Sequence, residues 1–311
     1  MSLAGGVAAA NMPPPMPIPI ILNPAARSTK AASLEQALRR LSPAPELHLT
    51  TGPSDATAIA ERLATEGHEL IVAAGGDGTM NEVLQGVCRA NARRKPGERH
   101  TALGVLPLGT MNVFSVELKL PGRDIEGCWK KITSGRRQEI DLWMANDHYF
   151  VQLGGVGLDA QIVKETSWEQ KKKYGPLSYV ISAVNVLMRP APTLHIQIEG
   201  RAPLVGTVVL MGNGRHYGGP FPLFREASNT DGKLDLIVFR GLGGMEFLQL
   251  LRGMLLDGYK TCEYLDYLQT SEFTVTADHG EVPVELDGEL ADLSGPVVFR
   301  PAPFRLSVIA D

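Results

Sequence analysis

The chain contains 311 residues, of which 44% are hydrophobic and 21% are charged, and its formal net charge is −4. This length is sufficient for two domains with substantial cores, and these proportions are typical of globular proteins. The small negative charge excludes a general attraction to nucleic acid or to an anionic membrane, so we expect no nucleic-acid partner. Any attraction to a lipid surface must be local, as at the basic runs 93–95 and 171–173, for which a solvated helix end or loop is the simpler interpretation.

The cysteines and the apolar segments indicate the compartment. Cys88, Cys128 and Cys262 are widely spaced, with no CxxC pattern, so neither a metal framework nor disulfides are expected and a reducing cytosol is favoured. Residues 1–15 are rich in small residues and proline, and we predict a disordered leader there. The longest apolar segment, 175–188, is too short and too polar to cross a bilayer. We therefore expect a cytoplasmic protein without a transmembrane segment, and leave open its contact with a membrane surface.

The first half of the chain alternates between apolar strand patterns and amphipathic helix patterns. The predicted strands are 17–22, 46–50, 70–74 and 102–107, and the predicted helices are 32–41, a segment capped by Ser54 and Asp55, a segment that follows residue 79, and 124–134. Repeated βα units require a mostly parallel, doubly wound sheet. We therefore predict an α/β domain over residues 16–135.

A glycine-rich loop lies at the centre of this domain. The run 75–79, Gly-Gly-Asp-Gly-Thr, stands between a buried strand and a helix. The carboxyl edge of an open α/β sheet binds ligands, and the free N–H groups of a helix start attract phosphate. Asp77 would oppose phosphate unless a metal ion or a proton donor intervenes, which favours a chemical role for this loop over simple anchoring.

A second polar loop follows the next strand. The run 108–112, Leu-Gly-Thr-Met-Asn, is predicted to leave the sheet at the same edge as the glycine-rich loop. Thr110 and Asn112 are suited to hold a nucleotide through hydroxyl and amide contacts. A turn that only caps a helix is the alternative.

Strand patterns dominate from residue 136 onward. The predicted strands are 139–145, 148–153, 194–199, 205–211, 234–240, 272–276, 282–286, 297–300 and 304–309. Helical insertions are expected near 176–188 and 244–257. We predict a β-sandwich domain over residues 136–311 with the working site in the cleft between domains, and leave open whether the last strand, about 304–311, returns to the first domain.

Two acidic turns occur in this second half. The run 231–235, Asp-Gly-Lys-Leu-Asp, and the run 287–289, Asp-Gly-Glu, both resemble ordinary turns before or between strands. The first could instead hold a hard cation, and the second could supply a general base.

Taken in order, these four elements resemble the diacylglycerol kinase catalytic-domain superfamily. The run 75–82, the run 106–112, the turn 231–235 and the turn 287–289 follow one another as they do in that family. Asn23-Pro24 after the first strand and the run 171–179 also match its pattern. The chain is most similar to the soluble bacterial lipid kinases, which are related to sphingosine and ceramide kinases.

The resemblance implies an α/β nucleotide domain of the NAD kinase and diacylglycerol kinase type, a β-sandwich lipid domain, and ATP and Mg²⁺ bound between them. It places ATP contacts on Asn23, Arg27, Thr50, Gly75, Gly76, Asp77, Gly78, Thr79, Met80, Asn81 and Thr110. It places a metal at Ser228, Asp231 and Lys233. It assigns the proton acceptor to Glu289, with Asp77 acting on the catalytic Mg²⁺ or competing for the role of base.

The chain departs from the family pattern at two places, and two alternative functions are considered. The first loop continues as Ala25-Ala26-Arg27 instead of the Ser-Gly ending common after Asn-Pro, and Val113 replaces an aspartate that often follows the second loop. An NAD kinase-like phosphotransferase and an inactive nucleotide-binding regulatory protein are the alternative functions. The expected partner is a lipid at a membrane surface, and a homodimer is left open.

Overall fold

We describe the protein from a computed structural model, over residues 16–24, 31–122, 124–158, 160–161, 192–241, 252, 265–278 and 283–310. Several predicted features therefore lie outside the described residues: the leader 1–15, Arg27 and its loop, the basic run 171–173, Cys262 and nearly all of the two helical insertions. Among the described helices, none is long and apolar enough to cross a membrane.

The first domain is built on a six-stranded sheet with helices between its strands. Its elements are β1 Pro19–Leu22, α1 Ala31–Arg39, β2 Glu46–Leu49, α2 Asp55–Thr65, β3 Leu70–Gly75, α3 Asp77–Asn91, β4 Ala102–Pro107, α4 Val113–Glu117, α5 Ile125–Ser134 and β5 Arg137–Ile140. The strand order is β2-β1-β3-β4, all parallel, followed by the C-terminal strand β18 Leu306–Ile309 and then by β5.

The central strands are buried because the helices cover the sheet. β4 is buried along its whole length and β3 along all but its first residue, which matches their uninterrupted apolar sequences. α3 packs on β3 and α5 on β4, and α2 lies beside α3. Gly86 permits that close approach, since a Cβ there would come within 2.7 Å of the Ala60 side chain.

The second domain is a sandwich of two antiparallel six-stranded sheets. Its elements are β6 Trp143–Ala145, β7 His148–Phe150, β8 Leu153–Gly157, β9 Leu194–Gln197, β10 Leu204–Gly206, β11 Val208–Gly212, β12 Leu234–Phe239, β13 Leu265–Thr270, β14 Phe273–Ala277, β15 Val284–Leu286, β16 Glu289–Ala291 and β17 Val297–Pro301. One sheet has the order β10-β9-β14-β17-β6-β7 and the other β13-β12-β11-β8-β15-β16. Their shared core includes Trp143, Phe150, Phe273 and Phe299.

The predicted fold class is confirmed, and the structure refines how the domains exchange strands. The predicted strand 139–145 is two strands, because β5 pairs with β18 in the first sheet while β6 pairs with β17 in the sandwich. β5 thus extends the first sheet to Ile140, beyond the predicted domain boundary at 135. The last strand does return: β18 pairs in parallel with β4 and antiparallel with β5. The chain therefore passes between the two domains at both ends of the sandwich sequence, from β5 to β6 and from β17 to β18.

Candidate functional site

Four loops meet along the carboxyl edge of the parallel sheet. Thr50 follows β2, Asn23 follows β1, Gly75 ends β3, and Thr110 lies just beyond β4. Since these strands are neighbours in the order β2-β1-β3-β4, the four positions follow one another along a single edge. The chain reverses its direction of sheet growth between β1 and β3, which is the place where open α/β sheets bind ligands.

The glycine-rich loop is shorter than predicted. Only Gly76 links strand to helix, because β3 ends at Gly75 and α3 already begins at Asp77, with its first-turn bond from Met80 N to Gly76 O at 3.0 Å. Asp77, Gly78 and Thr79 form the first helical turn, where backbone N–H groups have no acceptor within the helix. The helix start, with its positive dipole end, therefore faces the sheet edge.

The side chains of Thr79 and Met80 are buried in the first domain. Thr79 packs back toward Gly75, and Met80 belongs to the apolar core. Contacts of these two residues with a ligand are therefore limited to their backbones. Asn81 points the other way and reaches the carbonyl of Leu286 in the second domain, at 3.5 Å.

The second polar loop packs directly on the first. Leu108 N donates to Gly75 O at 2.8 Å, and a Cβ at Gly109 would lie 2.6 Å from Gly76 Cα, so only glycine fits between the two backbones. The Asn112 amide folds back on Gly109, accepting from its N–H at 3.0 Å and donating to its carbonyl at 2.9 Å. The Asn112 amide is thus engaged within the loop, and its contact with a nucleotide stays a prediction, while Thr110 is exposed.

Asp77 joins the two loops. Its Oδ2 accepts from Asn112 N at 3.1 Å and its Oδ1 accepts from Val113 N at 3.0 Å, so the carboxylate caps the start of α4. Each carboxylate oxygen has more than one lone pair, and the group keeps acceptor capacity toward the cleft.

The turn 287–289 connects β15 to β16 as a tight hairpin. Asp287 and Gly288 have φ of 51° and 90°, as a two-residue type I′ turn requires. Asp287 is 4% exposed, and its carboxylate accepts hydrogen bonds from the N–H groups of Val151 at 2.9 Å, Gln152 at 2.8 Å and Leu153 at 3.0 Å. Burial raises the pKa of Asp287 to about 6, opposed by these three donors. Asp287 therefore shapes the turn, and Glu289 is the carboxylate that it presents.

The Asp-Gly-Glu turn lies against the first turn of α3, with Glu289 beside Gly78 and Gly288 beside Asp77. A Cβ at Gly78 would lie 2.6 Å from Glu289 Oε1, and one at Gly288 would lie 3.7 Å from Asp77 Cβ. The Glu289 side chain is exposed to the cleft. The structure thus brings together the glycine-rich loop, the second loop and the Asp-Gly-Glu turn.

The donor set suits a cation that also binds phosphate. Within the described part of the chain, no three His, Cys, Asp or Glu side chains converge to hold a metal by themselves. Mg²⁺ is usually bound through one or two carboxylates together with substrate phosphates, and Asp77 supplies such a carboxylate at the helix start.

The other predicted metal position is a compact turn. Ser228, Asp231 and Lys233 do come together, since Asp231 N donates to Ser228 O at 3.4 Å and Lys233 N donates to Asp231 Oδ1 at 3.0 Å. Arg305 supplies positive charge at this turn, contacting Thr230 O at 3.1 Å and Asp141 Oδ1 at 3.0 Å. These contacts account for the turn without a metal, and the metal there stays a prediction.

One contact between the two domains is not predicted by the sequence patterns. The amide of Gln85 on α3 pairs with the backbone of Tyr149 on β7, donating to its carbonyl at 2.6 Å and accepting from its N–H at 3.1 Å. A polar residue next to the apolar positions of a helix is the only signal in the sequence, and it does not name a partner.

The sequence matches two family models. Residues 17–145 match the diacylglycerol kinase catalytic domain, and residues 154–310 match the YegS C-terminal NAD kinase β-sandwich-like domain. Together they cover the two domains described above.

Individual relatives and a solved structure are also similar to this chain. The chain is 28% identical over 278 residues to a diacylglycerol kinase of Bacillus subtilis, with 87% of this chain and 88% of the relative covered. It is 34% identical over 254 residues to the Cronobacter sakazakii protein named "Probable lipid kinase YegS-like", covering 78% and 79%. A diacylglycerol kinase crystal structure from Bacillus anthracis superposes with a TM-score of 0.71 at 23% identity, over 95% of this chain and 97% of that one.

The fold and the site define a two-domain protein of the kinase type, in which the carboxyl edge of a parallel sheet lies beside a β-sandwich. The chain belongs to the diacylglycerol kinase catalytic-domain superfamily. It therefore carries a kinase catalytic domain.

Proposed function

We propose that the protein is an ATP- and Mg²⁺-dependent lipid kinase that transfers the γ-phosphate to a hydroxyl of diacylglycerol or a related lipid. The observation that carries the proposal is the position of Glu289, whose carboxylate lies against Gly78 at the start of α3. A phosphate at that helix start would lie beside a carboxylate suited to take a proton from the attacking hydroxyl.

The nucleotide would lie along the carboxyl edge of the first sheet. N–H groups at the start of α3 bind its phosphates, and the glycine contact between Gly76 and Gly109 lets the phosphate chain approach the backbone. Asn23, Thr50 and Thr110 lie along the same edge and supply polar contacts to the rest of the nucleotide. Arg27, expected to add positive charge, lies outside the described residues.

The transfer itself needs little covalent help from the protein. Phosphoryl transfer is catalysed mainly by positioning and by neutralising charge on the transferred group, and Mg²⁺ supplies neutralisation when bound. Asp77 is the side chain that would hold it. Glu289 accepts the proton of the acceptor hydroxyl as its oxygen attacks the γ-phosphorus, the bond to the β–γ bridging oxygen breaks, and ADP leaves.

The acceptor side is provided by the sandwich domain. The turn 217–221 reaches the nucleotide edge, since a Cβ at Gly219 would lie 2.8 Å from Met111 Cε of the second loop. At this turn Phe221 is 40% exposed, whereas Leu223 and Phe224 pack into an apolar cluster on the outer face of the β8–β11–β12 sheet. The exposed ring of Phe221 beside the cleft suits contact with a lipid, so a cytoplasmic protein acting at a membrane surface fits the proposal. The basic run 171–173 would add about 1 kcal/mol per charge near an anionic surface.

A labelling experiment tests the proposal. The protein is incubated with ATP labelled at the γ-phosphate, Mg²⁺, diacylglycerol in mixed vesicles, and NAD. Label in the extracted lipid supports the proposal. Label only in water-soluble NADP would establish an NAD kinase-like phosphotransferase instead. ATP binding without transfer to either acceptor would favour a regulatory protein without turnover.

A further inference from the structure

Glu117, the last residue of α4, contacts the second domain through a single carboxylate oxygen. Glu117 Oε2 accepts from Arg215 N at 3.0 Å, His216 N at 3.2 Å, His216 Nδ1 at 2.7 Å and Gln152 Nε2 at 3.2 Å. The side chain is only 13% exposed. Hydrogen bonds to a carboxylate are stronger than those between neutral groups, and leaving the donors of a buried network unpaired is costly.

Gln152 carries this contact to the Asp-Gly-Glu turn. Its side-chain amide donates to Glu117 and to His216 O at 3.1 Å, while its backbone N–H donates to Asp287 Oδ1 at 2.8 Å. Because both partners of Nε2 are acceptors, the orientation of the amide is determined. One residue therefore links α4 to the buried carboxylate that shapes the turn of Glu289.

These contacts close a ring around the candidate site. Asp77 binds the start of α4, and Glu117 at its other end binds Gln152. Gln152 binds Asp287, and the Gly288–Glu289 side of that turn returns to Asp77 and Gly78. The ring crosses between domains twice, once at Glu289 and once at Glu117, and the nucleotide edge of the sheet lies wholly on the first-domain side.

We infer that Glu117 is a positioning residue that orients the Asp-Gly-Glu turn against Asp77 through Gln152. It acts at a distance, since its own contacts are with Gln152 and the loop 213–217. A misplacement of reacting groups by about 1 Å can cost on the order of 100-fold in rate. Loss of the contact between Glu117 and the second domain should therefore lower kcat while ATP affinity is retained. The inference rests on the proposed lipid kinase function.

The test combines kinetics with a measurement that needs no turnover. In Glu117→Ala, kcat should fall at least about tenfold with the dissociation constant of ATP changed less than about threefold. Glu117→Gln keeps an oxygen acceptor and should recover part of the rate. Amide hydrogen exchange at Val151, Gln152 and Leu153 should accelerate in Glu117→Ala, because their backbone hydrogen bonds to the Asp287 carboxylate weaken. Glu35→Gln, which removes only a surface pair with Arg39, is the matched control and should change neither readout.

A double-mutant cycle isolates the pathway. If Glu117 acts through Gln152, the double variant Glu117→Ala/Gln152→Ala should be no slower than the slower single variant. Three outcomes would overturn the inference. In the first, the losses of kcat in the two single variants multiply in the double variant. In the others, kcat is unchanged in folded Glu117→Ala, or hydrogen exchange accelerates only within α4. If the wild type transfers no phosphate, the proposed function fails, and the exchange at 151–153 still decides whether Glu117 holds the turn.

Discussion

The carboxylate of Glu289 lies against the backbone of Gly78, with only 2.6 Å between Glu289 Oε1 and the position a Cβ on Gly78 would take. One residue lies on the last hairpin of the sandwich and the other in the first turn of α3. The candidate chemistry of this protein depends on that contact between domains.

Two glycines of α3 should respond differently to substitution by alanine. Gly78→Ala should keep or slightly raise stability, by up to about 1 kcal/mol, because alanine favours helix and the flexible Glu289 side chain can move aside. Its turnover should fall at least about tenfold, since Glu289 is then displaced. Gly86→Ala meets the Ala60 side chain and the Glu61 backbone, at 2.7 Å and 2.8 Å, and should lose about 1–3 kcal/mol. Urea unfolding and turnover of both variants check this; a destabilised Gly78→Ala would contradict it.

Gln85 should contribute strongly to stability. Gln85→Leu leaves the buried N–H and carbonyl of Tyr149 without their side-chain partner, at a cost of about 1–3 kcal/mol for each group. Denaturant unfolding measures the loss. Gln36→Leu on the exposed face of α1 is the matched control, expected within about 0.5 kcal/mol of wild type. Equal effects of the two substitutions would show that the Gln85 contact has no energetic role.

Asp287 should make stability depend on pH. Its pKa rises from 3.8 to about 6 in the folded protein, mainly through burial. Between these values the folded protein holds more protons than the unfolded chain, so this stabilising contribution is complete below pH 3.8 and is lost as the pH rises through 6. The stability of the wild type relative to Asp287→Asn should therefore decrease from pH 4 to 6.5, at no more than about 1.4 kcal/mol per pH unit. A difference that increases with pH would show that the three backbone donors outweigh burial.

Asp77 should be needed for stability as well as for turnover. It uses both carboxylate oxygens to cap α4, so in Asp77→Asn one N–H of Asn112 or Val113 loses its acceptor, at a cost of about 0.5–2 kcal/mol. Asp124 caps α5 through one oxygen only, to Gly127 N at 2.9 Å, and Asp124→Asn should be nearly neutral. Thermal unfolding without nucleotide measures both. A neutral Asp77→Asn would argue against the cap.

The sequence predicts the two central strands of the first sheet well because β3 and β4 are apolar runs that end at glycine and proline. The predicted bounds of β4 coincide with the observed ones, and those of β3 differ from them by one residue. The start of α3 was predicted too late, since Gly-Asp-Gly-Thr resembles a turn and the helix start is fixed by contacts with β4 and α4. Similarly, Ser54 makes no side-chain cap of α2; the Glu82 carboxylate accepts from Ser54 N and Ala56 N instead.

The site was only partly accessible from the sequence. The motifs named Asp77 and Glu289, but their approach across Gly78 depends on how two domains pack. The ring through Glu117, Gln152 and Asp287 consists of contacts between residues far apart in sequence, and no periodicity records them. Local sequence patterns predict helices and strands. Buried polar contacts between domains can be identified only from the three-dimensional fold.

The rate of γ-phosphate transfer to diacylglycerol, measured side by side for the wild type and Glu289→Gln, tests the central claim most directly. The wild type should label the lipid. Glu289→Gln should be slower by about 10²–10⁴-fold, the contribution of a general base, with the dissociation constant of ATP within about threefold of wild type. A wild type that labels no lipid, or a Glu289→Gln variant that keeps near-normal turnover, would contradict the account.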